Sequence, residues 1–144
     1  MDFFSALDIS ASAMSAERTR MNLISSNLAN ANSTRTAEGG PYKRKDAVFA
    51  ASPLAGSFSS AMNQASRGLS RVDVAGIVED SSPPRIQYDP THPDADPKGY
   101  VSLPNVNTIE EMADMISATR TYEANVTAAQ ATKSMAMKTL ELGR

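Results

Sequence analysis

Apolar residues near the start of the chain recur with a helical period. Leu7, Met14, Met21 and Leu28 fall every seven residues, with Phe4 and Ala11 three residues before members of that row. Phe3 and Ile24 widen the stripe, while Glu17, Arg18 and Ser25 interrupt it. An a/d-type pattern over about three heptads predicts an amphipathic helix from residue 3 to about residue 30, roughly 42 Å long. The pattern stops in Asn27-Leu28-Ala29-Asn30-Ala31-Asn32, with neither glycine nor proline to end it.

The same period returns near the end of the chain. Met112, Thr119, Val126, Lys133 and Leu140 form one row; Met115, Tyr122, Ala129 and Ala136 form its companion, bordered by Ile109, Ile116 and Met137. Thr108 followed by Glu111 reads as a capping box at the helix start, and Gly143 stands where a helix would stop. The expected helix is about 50 Å long. Two helices of similar length at opposite ends of the chain predict an antiparallel, coiled-coil-like pair. The chain between them must then leave and rejoin the pair at one end.

Glycine and proline mark off that middle. All eight prolines lie between Pro41 and Pro104, and six of seven glycines between Gly39 and Gly99, so the two flanks stay free of helix breakers. From Arg71 to Glu79 the residues alternate in a strand pattern; Arg85 to Tyr88 and Tyr100 to Leu103 are shorter candidates. The expected fold class is therefore α+β. Residues 1–32 and 108–144 form the paired helices, and residues 33–107 a small, partly flexible region of strands and loops. Residues 33–68, rich in alanine, serine and glycine, carry no firm pattern.

Composition narrows the functions. With 144 residues, 41% hydrophobic, 21% charged and a net charge of −2, nothing favours nucleic acid or an anionic membrane. Lys43-Arg44-Lys45 is too short to track phosphates and reads as a solvated cluster beside Tyr42. There are no cysteines, which excludes disulfides, thiolate metal sites and cysteine nucleophiles. No apolar run is long enough to span a membrane. The N-terminus carries Asp2 and Asp8 without an early lysine or arginine, which does not suit a cleaved signal peptide.

Catalytic and metal patterns fare poorly. His92, the single histidine, sits among Asp89, Asp94 and Asp96. A calcium loop starting at Asp94 would place Asp96 and Gly99 well, but Lys98 and Asn105 fall where ligands belong. An Asp/Pro-rich turn is the simpler account. No nucleophile elbow, Ser-x-x-Lys or phosphate-cradling glycine motif occurs, so the expectation is a protein with neither catalysis nor cofactor. The helical stripes suit packing instead. Leu7, Met14, Met21, Leu28, Met112, Met115, Ile116, Tyr122, Val126 and Leu140 either close a two-helix core or also meet neighbouring subunits, where flexible thioethers tolerate imperfect fit. Asn27 and Asn30 either cap the helix end or bond across to a neighbour, since amides both donate and accept.

Several segments resemble the basal-body rod proteins of the bacterial flagellar axial-protein family. They are the asparagine-rich end at 27–32, Gly39-Gly40-Pro41-Tyr42, Tyr88-Asp89-Pro90-Thr91-His92-Pro93-Asp94-Ala95, Gly99-Tyr100-Val101 and Pro104-Asn105-Val106-Asn107. Residues 111–116 and 120–126 match the start and centre of the family's last helix. Ser33-Thr34-Arg35-Thr36 departs from the glycine-aromatic pair that often follows the asparagines. The resemblance implies a structural subunit exported unfolded by the flagellar type III apparatus without signal cleavage. It implies polymerisation with copies of itself and other rod proteins into the periplasmic rod, the terminal helices forming its inner tube. The rival expectation is a soluble coiled-coil adaptor, or a type III secreted protein outside the flagellum.

Overall fold

The computed structural model describes residues 3–37, 39–54 and 69–143. Helix α1 spans Phe3–Ala29 and helix α2 spans Thr108–Leu142. Between them lie four strands: β1 (Lys45–Pro53), β2 (Ser70–Glu79), β3 (Arg85–Tyr88) and β4 (Tyr100–Leu103). This is the expected α+β arrangement.

Both helices carry many hydroxyl residues, which compete with the helix unless satisfied within it. They are: Ser10 Oγ donates to Ala6 O (3.0 Å), Ser12 Oγ to Ile9 O (2.8 Å) and Thr121 Oγ1 to Ser117 O (3.0 Å). The end of α1 is closed by asparagine. Asn30 N and Asn30 Nδ2 both donate to Ser26 O (3.0 and 2.9 Å), and Ala31 N tightens the last turn onto Leu28 O (3.2 Å). The side-chain amide doubles the bond at Ser26 O, and the tightened turn satisfies the Leu28 carbonyl.

The start of α2 differs from the capping box expected at Thr108. The cap is Asn107, whose Oδ1 accepts from Ile109 N (3.1 Å) and whose carbonyl accepts from Glu111 N (3.0 Å). Glu111 does not reach back to the cap. Its carboxylate points into the molecule, where cationic and amide donors outbid a solvent-exposed backbone N–H.

The helices are antiparallel. Asn27 meets Glu111 (3.1 Å), Met21 Sδ lies 3.7 Å from Thr119 Oγ1, and Arg20 approaches Asp114 (3.9 Å). The seam on α2 is offset from expectation. Met115, Tyr122, Ala129 and Ala136 do face inward, but their companion row is Glu111, Ala118, Asn125 and Thr132. Of the row expected there, Met112, Thr119, Lys133 and Leu140 are exposed, and Val126 is half-buried. The reason is size. Ala118, fully buried at 0% exposure, lets the helix backbones approach closely, and larger side chains one position on are turned outward.

Helix α1 is covered on two sides, by α2 and by the β1–β2 ribbon. Its exposed stripe runs Phe4, Asp8, Ala11, Ser15, Arg18, Asn22, Ser25 and Ala29. The ribbon is antiparallel, from Lys45 opposite Glu79 to Pro53 opposite Ser70, with a bulge between Val48 and Phe49. Strand β1 corrects the reading of residues 33–68 as patternless. Its Ala-Val-Phe-Ala-Ala run lacks apolar/polar alternation because burial alternates without a matching change in polarity. Residues 55–68 of that stretch lie outside the described residues. The outer edge of β1 is blunted: Asn27 pairs with Lys45, Asp46 Oδ1 accepts from Ala47 N (2.9 Å), and Pro53 has no N–H.

Strands β3 and β4 form a second, separate ribbon, Arg85 opposite Leu103 and Tyr88 opposite Tyr100. Val101 points to the core with Pro104 and Val106, while Ile86, Tyr88 and Tyr100 stay exposed. The connecting turn is closed by Asp89 N to Gly99 O (2.9 Å) and Gly99 N to Asp96 O (2.7 Å). Gly99 has φ +82, and a Cβ there would sit 2.9 Å from Tyr88 Cε2.

Candidate functional site

The chain leaves the helix pair after α1 and rejoins it before α2 at one end, and a polar junction closes that end. Asn27 and Glu111 are each 1% exposed. Asn27 Nδ2 donates to Lys45 O (2.9 Å) and to Glu111 Oε2 (3.1 Å); Asn27 Oδ1 accepts from Lys45 N (3.0 Å) and Tyr42 OH (3.0 Å). Two donors and two acceptor positions are all filled, so this amide keeps nothing for a neighbouring molecule.

The other oxygen of Glu111 accepts from Arg44 Nε at 2.6 Å. The guanidinium also reaches Asp46 (3.4 Å) and Asp114 (3.8 Å). The hydrogen bond to Glu111 raises the Arg44 pKa further above its ordinary value, against the opposing effect of burial. Loss of Arg44 leaves the buried Glu111 carboxylate without its cationic partner. The cost is about 2–4 kcal/mol, on the lower side for a buried pair because Arg44 keeps 26% of its side-chain surface. The backbone of Arg44 is tied as well: its N–H donates to Asn105 Oδ1 (2.9 Å) and its carbonyl accepts from Asp80 N (2.8 Å).

The junction draws on residues that sequence reasoning set aside. By sequence alone Arg44 belongs to a solvated basic cluster and Glu111 to a helix cap. The available signal was a glutamate on the heptad row that Ala118 continues, where a charge has to find a partner. Asn30 lies where the sequence expected it, half-buried and bonded at the helix end.

The remaining stripe residues divide by exposure. Leu7, Met14, Met21, Leu28, Met115, Tyr122 and Val126 are half-buried along the helix pair. Met14 and Tyr122 line a groove of about 230 Å³ with Ala11, Ser15 and Arg18. Met112, Ile116 and Leu140 are 55%, 56% and 71% exposed. With Ile109, Met112 and Ile116 set an exposed apolar patch on the first turns of α2, outside its seam, and Leu140 is exposed in the last turn.

The turn around His92 spends its polar groups on its own geometry. His92 Nδ1 accepts from Asp94 N (3.1 Å), and Asp89 Oδ1 accepts from Thr91 Oγ1 (2.7 Å) and Thr91 N (3.1 Å). The Thr91 donors hold the Asp89 carboxyl below its ordinary range. Asp94 ties the turn to the segment after α1 through Thr34 Oγ1 (2.8 Å). Among the described residues no cluster of three or more acidic or histidine side chains is placed to hold a metal, and no helix is long and apolar enough to cross a membrane.

Paired terminal helices with a strand-containing middle strapped to one end define the class of protein by its fold. Residues 7–35 match the flagella basal body rod protein family, and residues 98–142 match the flagellar basal body rod FlgEFG protein C-terminal family. The chain belongs to the flagellar basal-body rod protein family. It is 47% identical over 152 aligned positions to the flagellar basal-body rod protein FlgC of Bacillus subtilis, covering all of both chains. It is 39% identical to the FlgC of Escherichia coli O157:H7, again over all of both chains. The FlgC of Aquifex aeolicus is 44% identical, over 98% of this chain and 97% of its own.

Proposed function

We propose that this chain is a structural subunit of the flagellar basal-body rod. It polymerises through its terminal helices, with copies of itself and other rod proteins, into a hollow shaft. Residues 1–32 and 108–144 form the inner tube, and residues 33–107 stand outside it. The subunit is exported by the flagellar type III apparatus without signal cleavage, works in the periplasm, and performs no catalysis.

One observation carries this reading. The two family-matched segments include most of the two helices, and α2 leaves Ile109, Met112, Ile116 and Leu140 exposed to solvent while Glu111, Asn125 and Thr132 take up places on its seam. An isolated chain gains nothing from that distribution. A helical polymer, in which one patch of each copy meets a different patch of the next, covers it. The half-buried rows at Leu7, Met14, Met21, Leu28, Met115, Tyr122 and Val126 supply the sides of the same contacts.

The test is Ile116→Asp in the source cell. The side chain is exposed in the single chain, so the variant folds, but a charge enclosed between subunits is costly. Export into the periplasm without incorporation into purified basal bodies, and loss of motility, is the expected result. Mass spectrometry finding the variant in basal bodies at the normal amount would overturn the proposal.

A further inference from the structure

We propose that the Asn27–Arg44–Glu111 junction is a coupling device that makes the stability of the β1–β2 ribbon depend on how α2 packs against α1. The inference concerns the single chain and stands apart from the rod reading.

Three observations carry it. First, the ribbon cannot hold itself. No residue of β1 or β2 is fully buried, and a lone two-stranded ribbon is marginal in water. It is tied to α1 at two points roughly four helical turns apart: Lys45 on Asn27, and Val72 N donating to Ser12 Oγ (3.2 Å).

Second, α2 packs on α1 and not on the ribbon strands. Its side chains hold the ribbon through Glu111, which touches Asn27 with one oxygen and Arg44 with the other, and through Asp114 on Arg44; among the described residues the only further tie on this side is Asn105, in the segment before the helix, which bonds the Arg44 and Asp80 backbone.

Third, Arg44 is both reader and rung. Its side chain meets α2, while its carbonyl accepts from Asp80 N and so opens the β1–β2 ladder. A slide of α2 by one helical turn, about 5.4 Å, carries the Glu111 carboxylate out of reach of both partners at once. Bonds of this kind switch between made and unmade states, so a change in helix packing reaches the ribbon as release and not as gradual bending.

Residue-resolved amide hydrogen exchange on the full chain tests this. In the unaltered protein, ladder amides of β1–β2 and seam amides of α1 and α2 open together. In the apolar replacement Arg44→Met with Glu111→Leu, ladder amides lose at least about tenfold in protection while helix amides change less than about threefold. Glu111→Gln, which keeps shape but not charge, shifts the ladder in the same direction by less. Lys45→Met removes the surface contact to Glu79 and leaves the ladder-to-helix ratio unchanged. Equal loss in ladder and helices, no loss in either, or a doubly substituted chain that does not fold would each overturn the proposal. So would a Lys45→Met effect on the ladder as large as that of the double replacement.

Discussion

Asn27 pairs with Lys45 as one strand pairs with another: its Nδ2 donates to the Lys45 carbonyl at 2.9 Å and its Oδ1 accepts from the Lys45 amide at 3.0 Å. A helix side chain thereby supplies the first rung on the outer edge of a β-ribbon. The remaining donor and acceptor of the amide go to Glu111 and Tyr42.

Replacing Asn27 by leucine leaves the Lys45 backbone unpaired and removes a partner from buried Glu111. The expected loss is about 2–4 kcal/mol of folding stability, since orphaned buried groups bear their full desolvation cost. Asn27→Asp is expected to be at least as damaging, because it sets a second carboxylate against Glu111 and removes both donors. Urea unfolding midpoints at constant slope measure both.

The offset seam makes opposite predictions for neighbouring residues of α2. Ala118→Leu forces the helices apart and is expected to cost about 1–3 kcal/mol or more. Ile116→Ser, on the outer face, is expected to change the stability of the isolated chain by no more than about 0.5 kcal/mol. If the order were reversed in chemical denaturation, the seam would lie on the row through Met112 after all.

Two glycines with positive φ separate backbone strain from crowding. At Gly40, φ is +79 and a Cβ meets nothing within 4 Å; at Gly99, φ is +82 and a Cβ meets Tyr88 and Pro90 at 2.9 and 3.2 Å. Gly40→Ala is expected to cost about 1 kcal/mol. Gly99→Ala is expected to cost about 1–3 kcal/mol and to move the Tyr88 ring, which near-ultraviolet circular dichroism and the Tyr88 ring resonances report.

Asp89 provides a test by pH. Donors from Thr91 depress its pKa in the folded chain. A group depressed in this way contributes stability above its unfolded value, and that contribution is lost as pH falls through the folded value. The window is therefore acidic, from about pH 4 downward. Followed by carbon NMR, the Asp89 carboxyl is expected to titrate lower than in Thr91→Ala, and the variant's acid-side stability is expected to depend less steeply on pH.

The helices are legible because a heptad period is sustained over many residues on flanks that keep glycine and proline out of the helix interiors. Strands β3 and β4 are legible from short stretches with β-branched and aromatic residues, Arg-Ile-Gln-Tyr and Tyr-Val-Ser-Leu, on either side of an Asp/Pro turn. Strand β1 is not, because Ala47, Val48, Phe49, Ala50 and Ala51 offer no polar alternation, and the pairing that makes them a strand comes from β2, far along the chain. One row of the α2 seam, Met115 through Ala136, is legible; its companion falls one position earlier than hydrophobicity suggests, because apolar content favours Met112 over Glu111 whereas burial falls on Glu111 and Ala118. Arg44 and Glu111 escaped notice for a related reason. Each has a plausible local role, as surface charge or helix cap, and only the antiparallel register brings them within bonding distance.

The blunted edge of β1 has a consequence for crowding. Wherever many copies of one chain are held side by side, an unprotected strand edge recruits the same strand from the next copy, and such pairing propagates without limit. Here the amide of Asn27, the carboxylate of Asp46 and the ring of Pro53 interrupt the row of free backbone groups. In the proposed assembly, backbone pairing between copies along the β1 edge is thereby disfavoured, which leaves side chains to make the contacts.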